Sequence, residues 1–120
     1  MEQFRIWRKG LELADLVQKM ANRYSRFGSG EIWCKLKQLI NSVPSHLAEG
    51  FMMKNIDDGK AHLYRALNCM DEVLESYIFT GRVLGLREGQ INRIKRDIME
   101  LKSLLNAACF GNEEIFANSS

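Results

Sequence analysis

Apolar residues recur every three or four positions along most of this chain, in four stretches separated by short turns. An α-helix turns once per 3.6 residues, so this spacing lines side chains along one face, whereas a strand would require alternation. The first stretch covers residues 4–26, with Phe4, Trp7, Leu11, Ala14, Val17, Ala21 and Tyr24 as its stripe. Leu13, Leu16 and Met20 widen that stripe, and the glycines of FGSG stop the helix. The second stretch, residues 31–53, repeats Ile32, Leu36, Leu39, Val43 and Leu47. The third opens after NIDDG, where Asp57 or Asp58 is expected to cap the first free amides. Its stripe is Leu63, Leu67, Met70, Leu74, Tyr77, Gly81 and Leu84, with Ala66 and Val73 alongside. The fourth, residues 88–109, steps through Ile91, Ile94, Ile98, Leu101, Leu105 and Ala108 like a coiled-coil seam.

Four helices of about 22 residues are each about 33 Å long. Short turns make neighbours antiparallel, so the expected fold is all-α: an antiparallel up-down-up-down four-helix bundle over residues 1–110. The polar tail, residues 111–120, is expected to be flexible or to dock on a neighbour. At 120 residues the chain suits one domain. Its three cysteines, Cys34, Cys69 and Cys109, are odd in number and far apart, which favours free thiols in a reducing compartment. The charged start MEQFRIWRKG lacks an apolar core of the length a signal peptide needs, and no stretch has the length of a membrane span, so a cytoplasmic location is expected.

The string SVPSHLAEG, residues 42–50, interrupts the regularity of the second helix. Pro44 donates no amide and crowds the carbonyl of Ile40. The stripe nevertheless stays in phase from Leu39 through Val43 to Leu47, which predicts a continuous helix kinked at Pro44. The Ser42 or Ser45 hydroxyl, or a water, would then meet the freed carbonyl. Two short helices, with Ser42 capping the second, are the alternative.

His46 and Glu49 share a helical face as i and i+3. Di-iron bundles use Glu-x-x-His instead, a string absent here, and His62 lacks a carboxylate at the matching spacing. No nucleophile elbow, Walker loop or H-E-x-x-H occurs. The residues therefore predict no catalytic, cofactor or metal site and no small-molecule substrate.

Two stretches carry more apolar surface than a bundle stripe needs. Phe51, Met52 and Met53 are consecutive, as are Tyr77, Ile78 and Phe79, and Trp33 falls off its helix's stripe. A homo-oligomer burying Trp33, Phe51, Met52, Ile78 and Phe79 is expected. Net charge is only +2, but residues 1–40 carry eight Lys/Arg against four Asp/Glu, and residues 41–80 carry three against six. Arg8, Lys9, Arg23, Arg26, Lys35, Lys37 and Lys54 are the candidate phosphate contacts. The acidic Asp71, Glu72 and Glu75 would matter instead in a protein-interaction adaptor that binds no nucleic acid.

The strings IWRKGLELA, SVPSHLAEG and LYRALNCMDEVLESYIFTGRVLGL resemble the bacterial 23S rRNA intervening-sequence family, over about residues 4–109. The second string is close to that family's Ser-Ile-Pro-x-Asn-Ile-Ala-Glu-Gly. Here His46 stands in place of the usual Asn, Gln38 in place of a common basic residue, and Gly10 in place of a better helix former. The resemblance implies an antiparallel four-helix bundle assembled as a ring, with a pentamer favoured, and no known reaction. A similar bundle serves as the accessory protein of diversity-generating retroelements. By that analogy the partner is structured RNA or a ribonucleoprotein, and the chain is a non-enzymatic oligomeric scaffold.

Overall fold

A computed structural model describes residues 2–24 and 30–109. Arg26, the FGS of the first turn and the tail of residues 111–120 lie outside the described residues. The described residues form four α-helices and no strand: α1 Glu2–Tyr24, α2 Gly30–Met52, α3 Ile56–Leu84 and α4 Glu88–Cys109. None of these helices is long and apolar enough to cross a membrane. Helix α1 packs on α2 and α4, and α3 packs on the same two, while the diagonal pairs do not approach one another. Four helices in this cyclic arrangement enclose a single core.

Side-chain contacts tie the neighbouring helices together. Gly10, early in α1, faces Pro44 and Leu47, late in α2. Tyr24, at the end of α1, stacks on Trp33 near the start of α2 with centroids 6.2 Å apart. Lys9 Nζ reaches Glu100 Oε1 at 2.9 Å across α1 and α4, and Lys102 Nζ donates to Asp71 Oδ1 across α4 and α3.

The core takes Ile91, Ile94, Ile98, Leu101 and Leu105 from α4, which is the expected seam apart from Ala108, which is exposed. The α3 stripe is also buried as expected, with Leu74 and Leu84 only partly so, whereas those of α1 and α2 are turned relative to the sequence reading. Helix α1 buries Ile6, Gly10, Leu13, Ala14, Val17 and Ala21, and leaves Phe4 and Leu11 outside. Helix α2 buries Trp33, Leu36, Ile40, Val43, Pro44 and Leu47, and leaves Ile32 exposed. A methyl on Gly10 would lie 2.9 Å from Leu47 Cδ1 and 3.8 Å from Pro44 Cα, so the glycine face of α1 sits directly against the proline face of α2. Trp33 then points inward. Its expected place on an oligomer surface is corrected: with 0% exposure it is the largest side chain of the core.

Helix α2 runs through Pro44 without interruption, so the alternative of two short helices does not apply. The serine hydroxyls do not serve Ile40 as expected. Ser42 Oγ donates to the Leu39 carbonyl at 2.6 Å, and Ser45 Oγ to that of Asn41 at 3.4 Å. The cap of α3 also differs from expectation. Asn55, with φ −82° and ψ 124°, is the N-cap, and its Oδ1 accepts from the Asp58 amide at 3.1 Å. Asp57 and Asp58 lie inside the first turn, where their charge favours the positive end of the helix. At the other end Gly85 adopts φ 76°, and the Leu86 amide donates to the Gly81 carbonyl at 2.8 Å, closing a Schellman-type turn.

Tyr77 is buried with its hydroxyl unpaired among the described residues. Burial, and secondarily the nearby Tyr24, pushes this phenol from 10.0 up to about 12. A raised phenol favours the neutral folded form, so its contribution to stability is complete below pH 10 and is lost as pH rises toward about 12. Urea unfolding at about pH 9 and about pH 11 is expected to show a smaller loss of stability in Tyr77→Phe than in the parent. Equal losses would contradict this environment.

Candidate functional site

Helices α2 and α3 approach each other closely at a pair of glycines. A methyl on Gly59 would lie 2.7 Å from the Gly50 carbonyl oxygen, and one on Gly50 would lie 2.6 Å from Leu63 Cδ2. Real methyl groups do not tolerate such distances, so this pair of glycines sets the helix separation. His46 and Glu49 lie just before Gly50 on α2, and His62 lies three residues after Gly59 on α3. The narrow gap therefore brings all three side chains together. His46 Nδ1 and His62 Nδ1 are 3.5 Å apart, their rings 5.7 Å apart and tilted by 31°. His62 Nδ1 is also 3.2 Å from Glu49 Oε2. The His62 side chain is only 14% exposed, whereas Glu49 is 53% exposed and faces solvent. One ligand atom from each residue falls within 4.8 Å of the other two.

Sequence reasoning missed this grouping because it sought His62's partner on its own helix. The carboxylate comes from the neighbouring helix instead. Two glycines, each within four residues of one of the histidines, were the available signal.

A second feature is the apolar surface on α2 and α3. Ile32, Lys35 and Leu36 line one side of a groove, and Glu75, Ser76, Phe79 and Thr80 the other. The surface continues over Ile78, Arg82 and Val83. Phe79 is 67% exposed, a large aromatic surface left in water by a single chain. Met52, Met53 and Ile56 form a separate exposed cluster around the α2–α3 turn, with Met52 at 81%. Phe51 and Ile78 are half-buried and pack against the core. Of the five residues expected at an oligomer surface, Met52 and Phe79 are strongly exposed, Phe51 and Ile78 partly so, and Trp33 not at all.

The basic residues do not form one patch. Arg8, Lys9 and Lys54 belong near the end of the molecule where α1 begins and α2 finishes, while Arg23, Lys35 and Lys37 belong near the other. Arg8 pairs with Glu12 at 3.6 Å and Lys9 with Glu100 at 2.9 Å. The Lys9 ammonium, through its hydrogen bond and then its charge, holds the Glu100 carboxyl below the usual carboxylate range. Lys35, Lys37 and Lys54 form no ion pair among the described residues. On the acidic side, Asp71 is held by Lys102, and Glu75 borders the groove.

No family model, curated protein or solved structure matches the chain.

Proposed function

We propose that this protein is a non-enzymatic, homo-oligomeric helical scaffold of the cytoplasm, related to the 23S rRNA intervening-sequence family. Its subunit is an up-down-up-down bundle whose second helix bends at Pro44. The observation that carries this reading is Phe79. An aromatic side chain exposed to 67% beside a groove lined by Ile32 and Leu36 loses apolar surface to water unless another copy covers it. The second cluster, Met52, Met53 and Ile56, favours a ring. Two different apolar patches on one subunit suit a head-to-tail contact, which closes into a cycle when the rotation allows. A pentamer is the form that the family resemblance implies.

Structured RNA or a ribonucleoprotein is the proposed partner. Lys35 and Lys37, without carboxylate partners among the described residues, support phosphate contact, and repetition around a ring multiplies a weak site. The adaptor reading instead places a protein against Glu72 and Glu75.

Size-exclusion chromatography with light scattering tests the scaffold. The expected particle mass is a multiple of 13.8 kDa, fivefold for the favoured ring. Phe79→Glu is expected to reduce it to the single-chain mass while leaving the helical circular dichroism unchanged. A parent protein that remains at 13.8 kDa at micromolar concentration rejects the oligomer. Nucleic-acid absorbance in the oligomer peak, removed by nuclease, separates the RNA reading from the adaptor.

A further inference from the structure

The geometry points to a divalent transition-metal site formed by His46, Glu49 and His62, with zinc as the best-fitting ion. The site lies within one chain and does not depend on how the chain assembles. Zinc binds imidazole nitrogen and carboxylate oxygen at about 2.0–2.2 Å, and in a tetrahedron such bonds place neighbouring ligand atoms about 3.3–3.5 Å apart. Two of the three ligand separations are 3.5 Å, between the imidazole nitrogens, and 3.2 Å, between His62 Nδ1 and Glu49 Oε2, and the third lies within 4.8 Å. An octahedral ion at about 2.1 Å would draw adjacent ligands to about 3.0 Å, a poorer match. Two histidines and one carboxylate are a ligand set that zinc uses with a fourth position left open.

Hydrogen bonding alone serves this cluster badly. A neutral imidazole nitrogen either donates or accepts. His62 Nδ1 faces both the carboxylate, which only accepts, and His46 Nδ1. If His62 Nδ1 carries a proton, Glu49 is served and His46 can only share that same proton. If it does not, the carboxylate faces a lone pair. A cation between the three accepts a lone pair from each and removes the conflict.

The site is also held and accessible. Its two histidines sit on different helices whose separation the Gly50–Gly59 contact sets, so the nitrogen spacing belongs to the fold rather than to loop motion. Glu49, half exposed, closes the third side by rotating its carboxylate and leaves a path for the ion. The fourth position would take water.

Isothermal titration of chelator-treated protein with zinc chloride tests this. The expected result is one ion per chain, with affinity lowered at least about tenfold in His62→Asn and in His46→Asn separately. Each variant is compared with its own metal-free form, because the smaller Asn side chain shifts the baseline unfolding temperature at this part-buried contact. Zinc should raise the parent's unfolding temperature but not theirs. Cys34 is an exposed thiol and a competing ligand, so Cys34→Ser should bind zinc as the parent does. Cobalt(II) in place of zinc should give a tetrahedral visible spectrum without thiolate charge-transfer bands. No uptake by the parent at about 0.1 mM zinc overturns the proposal. Uptake undiminished in both histidine variants, or abolished by Cys34→Ser, overturns it equally.

Discussion

Replacing Trp33 with alanine is expected to lower the unfolding free energy of the single chain by about 3–5 kcal/mol. Trp33 has no exposed surface, and its ring meets Tyr24 in a stacked contact and Tyr77 edge-on, both at 6.2 Å. Truncation would remove both ring contacts and leave a cavity among three helices that cannot collapse without moving α1, α2 and α3 together. One term acts in the opposite direction. The indole Nε1 is buried without a hydrogen-bond partner among the described residues, and removing an unsatisfied donor returns part of its desolvation cost. That places the loss toward the lower part of the range and makes Trp33→Phe much milder than Trp33→Ala. Urea unfolding over a tenfold range of protein concentration is the measurement. A core residue gives a loss that is independent of concentration, whereas an interface residue gives one that shrinks on dilution, as the assembly it supports dissociates. A loss below about 1 kcal/mol would mean that Trp33 is not enclosed as described.

The second large effect is expected from Gly59→Ala, which should destabilise by about 2 kcal/mol although alanine is the better helix former. In an exposed helix this substitution would gain up to about 1 kcal/mol. Here the new methyl would stand 2.7 Å from the Gly50 carbonyl oxygen, and both are fixed to helical backbone, so no side-chain rotation relieves the clash. The first turn of α3 must move away from α2, loosening Leu63 in the core. Gly10→Ala offers the comparison. Its methyl meets Leu47 Cδ1 at 2.9 Å, the far end of a flexible side chain, so the loss should be small or absent. Thermal unfolding of the two variants side by side decides the matter. Equal behaviour would show that the Gly50–Gly59 contact does not set the helix separation. Because that contact also sets the distance between His46 and His62, Gly59→Ala should weaken zinc uptake as well.

The predicted core was most accurate where one helix offers one unambiguous stripe. The five large apolar residues of α4 stand at regular steps among charged ones, so only one face can be buried. It was least accurate in α1 and α2, where apolar residues cover more than one face. Phe4, Trp7 and Ile6 lie within one turn of α1, and Ile32 and Trp33 are adjacent in α2. Periodicity alone does not choose between such neighbours. In the fold Gly10 lies against Pro44 and Leu47, and Ile6 and Trp33 are the neighbours that face inward. The extra apolar surface was legible in part: Met52 and Phe79 are outside, but Trp33, the largest of the set, is not.

Local chemistry determined the four helices and the α4 seam, because hydrophobic spacing acts within a few residues. Which face of each helix is buried, and which histidine meets which carboxylate, depended on residues 16 positions apart, as His46 and His62 are. Such a meeting is set by the distance between two helix axes. That distance follows from whether backbones or side chains make the contact, which only the packed tertiary structure decides.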